Sequence, residues 1–241
     1  MVKDKTKPSV MKHYANKFAV IKHIIGKENP IVIEIGSHYG EDSLRFLETF
    51  KDIKLFCFEP DERNIKIFNK HVSDKRVSLY EVALSNETGE ANFYQSYQEY
   101  NGNEVPEKYD WISKEDYIKY SLNNSGSSSL KKGYKHVLDE VQKVKTIRYD
   151  EWIKDKNIDI VDFVWIDVQG AEKDVLEGMG KNISAIKFIW IEYGETAYDD
   201  GMNRSETIRF MSDLGFNIAN QFSSNLNQGD ALFYNTKMFQ Q

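Results

Sequence analysis

Between residues 31 and 214 the chain alternates short β-branched runs with stretches whose apolar residues recur at helical spacing. The clearest run is Ile31-Val32-Ile33-Glu34-Ile35, bounded by Pro30 and Gly36. A run apolar on both faces marks a buried strand of the parallel type. Further strands are expected at Ile53 to Phe58, Val77 to Ala83, Val161 to Ile166 and Ile186 to Ile191. Helices are expected at Gly40 to Phe50, Asp61 to Lys70, Ala171 to Met179 and Ser205 to Leu214. Repeated strand–helix units predict a doubly wound α/β fold, a mostly parallel sheet with helices on both faces. The end of the chain departs from the alternation. Phe216 to Gln221 and Ala231 to Tyr234 read as strands with only a polar loop between them, so they should pair antiparallel.

The 241 residues suit one domain, 1–241. Residues 1–29 form an N-terminal helical extension, with a helix from Tyr14 to Ile25 whose apolar side is Phe18, Ile21, Ile24 and Ile25. Ala91 to Tyr94 is a short strand, Val144 to Arg148 is extended, and Tyr149 to Lys154 is a short helix. Between them, residues 95–143 are long, polar and Tyr-rich, with a run of Asn, Gly and Ser from Asn123 to Ser129. We read this segment as an insertion over the ligand crevice, with the run mobile until a ligand orders it.

Composition narrows the partners. The net charge is -6 and basic runs such as Lys131-Lys132 are short, so no phosphate-tracking stripe exists and no nucleic-acid partner is expected. The single cysteine, Cys57, lies in an apolar run and reads as a small buried hydrophobe; it can form no internal disulfide. No stretch approaches the ~20 apolar residues of a membrane span. The Lys-rich start lacks the apolar core of a secretory signal, which leaves a cytoplasmic location by default.

In open α/β sheets ligands bind outside the carboxyl ends of the strands, where strand order reverses. The first strand ends in Glu34-Ile35-Gly36-Ser37-His38-Tyr39-Gly40. Gly36 allows a tight turn, and Gly40 lets the chain enter a helix beside a ligand. Glu34, a carboxylate inside an apolar strand, needs a partner, which an amino group of a ligand would provide. The spacing is G-x-x-x-G, not the G-x-G-x-x-G that cradles a pyrophosphate. The second strand ends in Phe58-Glu59-Pro60, with Glu59 placed to grip ribose hydroxyls or to cap the next helix. Ala83 and Leu84 offer small apolar surface for an adenine. The fourth strand leads into Asp167-Val168-Gln169-Gly170-Ala171-Glu172, where Asp167 or Gln169 is either a site residue or a helix cap. The fifth ends at Glu192, followed by Glu195.

Taken together, Glu34-x-Gly36-x-x-x-Gly40, Phe58-Glu59-Pro60, Ala83-Leu84-Ser85, Ser127-Ser128-Ser129-Leu130 and Asp167-Val168-Gln169-Gly170-Ala171-Glu172 resemble the FkbM family of methyltransferases over roughly residues 30 to 235. The resemblance implies transfer of a methyl group from S-adenosylmethionine to oxygen, often a hydroxyl of a sugar or related small molecule. It places Glu34, Gly36, Ser37, Gly40, Glu59, Pro60, Ala83, Leu84, Ser128 and Asp167 around the cofactor. Many members carry lysine two residues before the motif's Asp; here that residue is Trp165, so a lysine base at that point is excluded.

The acceptor's proton must be removed as its oxygen attacks. Asp167 is the first candidate for that role and Glu192 the second; His38 and His136 are alternatives. Two strand-end carboxylates without a third ligand argue against an essential metal. A nucleotide-dependent dehydrogenase is disfavoured by the missing G-x-G-x-x-G and the terminal hairpin. A binding module that has lost catalysis is disfavoured by intact Asp167 and Glu192. A nucleic-acid methyltransferase is disfavoured by the acidic balance. No sequence feature sets the oligomeric state.

Overall fold

The computed structural model describes residues 10–98, 105, 109–120, 122, 125–133, 141–194, 198–223 and 228–239. Its strands are β1 (Ile31–Ile35), β2 (Lys54–Phe58), β3 (Val77–Tyr80), β4 (Ala83–Leu84), β5 (Gly89–Phe93), β6 (Gln142–Ile147), β7 (Val161–Ile166), β8 (Ile186–Gly194), β9 (Phe216–Ser223) and β10 (Gln228–Asn235). Its helices are α1 (Val10–Ile25), α2 (Glu41–Thr49), α3 (Glu62–His71), α4 (Lys114–Lys119), α5 (Tyr149–Trp152), α6 (Glu172–Met179), α7 (Arg204–Asp213) and α8 (Thr236–Phe239). Seven strands form one sheet in the order β3-β2-β1-β7-β8-β10-β9. All neighbours are parallel up to β8, and β10 runs antiparallel to both β8 and β9. The fold is therefore the doubly wound α/β architecture expected, closed by the terminal hairpin.

Strand alternation divides the core between the two faces. On one side Ile33, Ile35, Phe58, Val164, Ile166 and Ile191 pack with Val175 and Met179 of α6. On the other, Val32, Leu55, Phe163, Trp165 and Trp190 pack under Phe18 and Ile21 of α1 and Phe46 of α2. Burial of each such side chain contributes about 1.5–3 kcal/mol. Strand order reverses between β1 and β7, so their carboxyl ends open the crevice.

One expected strand divides. Val77–Tyr80 pairs with β2, but Ala83–Leu84 leaves the main sheet and pairs with β6, beside β5. Ala83 and Leu84 are consecutive and both buried. The chain changes direction at Glu81–Val82, and Ser85 N–H, donating to Ile147 O at 3.1 Å, ties the new course. Among the described residues no helix is long and apolar enough to cross a membrane.

Candidate functional site

At the reversal point the loops after β1 and β7 touch. Asp167 N–H donates to Ile35 O at 3.0 Å, while Gly36 N–H and Ser37 N–H both donate to Phe58 O at 3.0 Å. Gly36 has φ 85°, and a Cβ there would lie 1.8 Å from Asp167 O. Only glycine permits that approach. Beside it opens a cleft of about 610 Å³, continuous with solvent. Its walls include Gly36, His38, Glu59, Pro60, Asn64, Ala83, Leu84, Phe93, Ser125, Ser128, Asp167 and Gln169.

Glu59 closes β2 inside this cleft and is buried. It does not cap α3; Asp61 does, accepting from Arg63 N–H at 3.0 Å. Glu59 Oε2 accepts from His38 N–H at 2.8 Å, and Oε1 accepts from Asp61 N–H at 2.9 Å and Asn64 Nδ2 at 3.2 Å. Burial, followed by the nearby Asp61 charge, pushes its carboxyl up to about 7. Asn64 Oδ1 is a buried acceptor in the same wall with no hydrogen-bond partner in the protein. Beside an ionisable carboxyl, an orphaned amide oxygen and the apolar Ala83, Leu84 and Phe93, the hydroxyls and ring of an adenosine find matching groups. The lining therefore fits S-adenosylmethionine.

The serine segment forms the opposite wall. Ser125 Oγ is bonded to His38 Nε2 at 3.1 Å and to the Tyr39 hydroxyl. His38 Nδ1 lies 2.9 Å from Glu41 Oε1. Ser128 Oγ accepts from Arg63 at 3.1 Å and from Ser96 N–H at 3.0 Å, and Ser129 Oγ donates to Val168 O at 3.2 Å. Tyr198 hydroxyl donates to Ser127 O at 3.0 Å.

Asp167 lies at the cleft end nearest β8. Gln169 Nε2 bridges to Asp167 Oδ1 at 2.6 Å and to Glu192 Oε2 at 2.7 Å, and Gln228 donates to Glu192 Oε1 at 3.0 Å. Gln169 thus links the two carboxyls through one amide nitrogen. Burial and then the Asp167 charge raise Glu192 well above the carboxylate range, and burial raises Asp167, against the bond from Gln169. Gln169 sits at φ 55°, a conformation strained for a residue with Cβ. Neither it nor Asp167 caps α6, whose N-cap is Ala171 with no side-chain bond; Glu172 instead accepts from Gly170 N–H at 3.0 Å.

Three residues expected around the cofactor stand behind the wall instead. Glu34 shares the face of Val32, so its carboxyl lies under α2, bonded by Ser43 and Cys57. Burial raises it well above the usual range. Ser37 is buried, with its hydroxyl donating to Glu34 O and Phe58 O at 3.3 Å each. Gly40, φ 89°, is where α3 comes close: a Cβ would lie 2.4 Å from Val72 and 3.0 Å from Phe68. His136 and Glu195 fall outside the described residues. Asn64, Ser125 and Tyr198 were not expected from the sequence. Each joins the site through tertiary contact, and no local motif points to them.

Comparison with known proteins agrees with this arrangement. Residues 34–218 match the methyltransferase FkbM domain. The 2-O-methyltransferase NoeI of Sinorhizobium fredii (strain NBRC 101917 / NGR234) is 30% identical over 229 residues, covering 90% of this chain and 84% of that protein. In fold, the METTL16 methyltransferase domain superposes with a TM-score of 0.51 at 11% identity, over 96% of this chain and 70% of that one. The N-terminal domain of human METTL16 in complex with SAH gives 0.50 at 11% identity, over 97% and 73%. With an FkbM domain spanning most of its length and the cleft to match, the chain belongs to the FkbM family of S-adenosylmethionine-dependent methyltransferases.

Proposed function

We propose that this enzyme methylates a hydroxyl of a sugar, glycan or related small molecule, with Asp167 taking the acceptor's proton and Glu192 as its partner. The observation that carries this reading is the Asp167–Gln169–Glu192 arrangement at the open end of the cofactor cleft. The likeness to a protein named a 2-O-methyltransferase supports an oxygen acceptor. In this reading Glu59 and Asn64 hold the cofactor's hydroxyls, Ala83, Leu84 and Pro60 its ring, and Gly36 and Ser128 the walls around it. Of residues 95–143, the described stretch from Ser125 to Leu130 contributes to the cover over the site.

S-adenosylmethionine supplies a methyl group on a positive sulfur; its transfer leaves a neutral thioether and frees one proton from the acceptor. Asp167 accepts a hydrogen bond from the acceptor hydroxyl and then its proton as the oxygen bonds to carbon. Gln169 fixes the spacing of the two carboxyls by bonding both.

Asp167→Asn keeps the shape and removes the charge. Methyl uptake by a panel of mono- and oligosaccharides is expected to fall ~10²–10⁴-fold, with S-adenosylhomocysteine affinity and melting temperature near those of the parent. Full turnover by the folded variant would withdraw Asp167 from the chemistry.

A further inference from the structure

The N-terminal helix delivers a buried ammonium to the acceptor side of the sheet. Lys17 of α1 has a side chain only 9% exposed. Its Nζ is ion-paired with Asp230 and lies 5.1 Å from the ring centroid of Trp190 and 5.8 Å from that of Trp165. The two indoles are stacked at 5.1 Å with 1° between their planes. Asp230 is the residue of β10 that pairs in register with Glu192 of β8. Both partners, 213 residues apart, lie outside the stretch that matches the family domain.

A tether for α1 needs no charge. A buried ion pair is often replaced by apolar side chains of similar size without loss of stability. The surroundings suggest another use. The Asp167–Glu192 pair is faced by Asp42 from α2, Glu172 from α6, Asp230 from β10, His38 after β1 and Tyr198 after β8. Lys17 brings a positive charge to this acid-rich edge, against its β10 member.

We propose that Lys17 is a positioning residue for methyl transfer: its ammonium balances Asp230, so that the Asp167–Glu192 pair beside it can hold a negative charge toward the acceptor. This rests on the reading of Asp167 and Glu192 as the acceptor-side pair. Without Lys17, an uncompensated Asp230 would oppose the negative charge on Asp167, and the pair would hold a second proton to higher pH.

The test is direct titration of the pair by NMR in protein labelled with ¹³C at its side-chain carboxyls, with S-adenosylhomocysteine bound. Loss of resonances in Asp167→Asn and Glu192→Gln assigns the signals. In Lys17→Met the lower apparent titration of the pair is expected to rise by about one pH unit. Lys17→Arg should leave it in place, and Lys17→Met with Asp230→Asn should return it. Asp230→Asn alone should move it downward, a result that does not depend on the folding of Lys17→Met. An unmoved titration in a folded Lys17→Met, or in Asp230→Asn, would overturn the proposal, as would a tether that lowers only the melting temperature. Full methyl transfer by Asp167→Asn would instead remove the site reading and leave the titration result standing.

Discussion

Gly36 sits where two chain segments meet with no space between them, and the contact sets the position of Asp167. A methyl group at Gly36 would overlap the Asp167 carbonyl and would also force a side chain into a left-handed backbone. Gly36→Ala is expected to cost more than about 2 kcal/mol and to abolish S-adenosylhomocysteine binding, both measurable by thermal melting with and without ligand. Glu59 is tested differently, because its carboxylate both lines the cleft and accepts from His38 N–H and Asp61 N–H, so folding must be checked beside affinity. Glu59→Ala should weaken S-adenosylhomocysteine binding by about 10–100-fold, the loss of a charge-assisted bond. Calorimetry on the folded variant decides it, and parental affinity would take Glu59 out of the site. Trp165, in place of the lysine of many relatives, belongs to the same scale. In register with Glu34 it offers that buried acid no cation, and among the described residues none is ion-paired with Glu34. Glu34 rests on the Ser43 hydroxyl and the Cys57 thiol instead.

At the scale of elements, the serine segment shows how a polar stretch is held without an apolar core. Asn123 to Ser129 is expected from composition to move until a ligand orders it; Asn123 and Asn124 lie outside the described residues. The hydroxyls of Ser128 and Ser129 bond to α3, to Ser96 N–H and to the loop after β7. Arg63 is the hub: it grips Asp61 with two nitrogens and reaches Ser96 O and Ser128 Oγ. Ser128→Ala removes two of these bonds. Amide exchange in residues 94–96 and 125–129 should accelerate, and S-adenosylhomocysteine affinity should fall by up to about 30-fold, for two bonds at about 1 kcal/mol each. Exchange rates equal to those of the parent would mean that the segment is fastened by other contacts.

Across the whole molecule, burial of acids at the carboxyl edge of the sheet has a consequence for stability. Asp42, Glu59 and Glu172 are each pushed up to about 7, burial first among the causes. The native protein thus keeps protons that the unfolded chain has already released near pH 4, so stability falls as pH rises through that window. The difference is worth about 1.4 kcal/mol per pH unit for each such group, and about 2–4 °C of melting temperature per kcal/mol. His71, pulled down by burial, opposes this as a single group. Ligand-free protein is therefore expected to melt several degrees higher at pH 6 than at pH 8. Below about pH 4 the trend reverses, as Asp74 and Asp150, held low by Arg76 and Arg148, lose their ion pairs. A melting temperature that climbs steadily from pH 6 to pH 8 would contradict the assignment of buried acids.

The alternation of β-branched runs with helical spacing was sufficient to name the parallel sheet, its terminal hairpin and the edge where ligands gather. Those features rest on local periodicity and on the handed geometry of strand–helix units, which a sequence carries directly. The glycine after the first strand and the acids near the ends of the first, second, fourth and fifth were visible for the same reason, since a strand's last residue is also a position in the crevice. Which way each side chain turns was not visible. Glu34 and Glu59 both close apolar strands, yet one lies under α2 and the other lines the cleft, because strand phase and the packing of α2 decide between them. Likewise Gly40 is explained by Val72 and Phe68 across a helix contact, not by a ligand. Asn64, Tyr198, Lys17 and Asp230 reach the site from distant parts of the chain, and only the tertiary structure, by closing those separations, gives them partners.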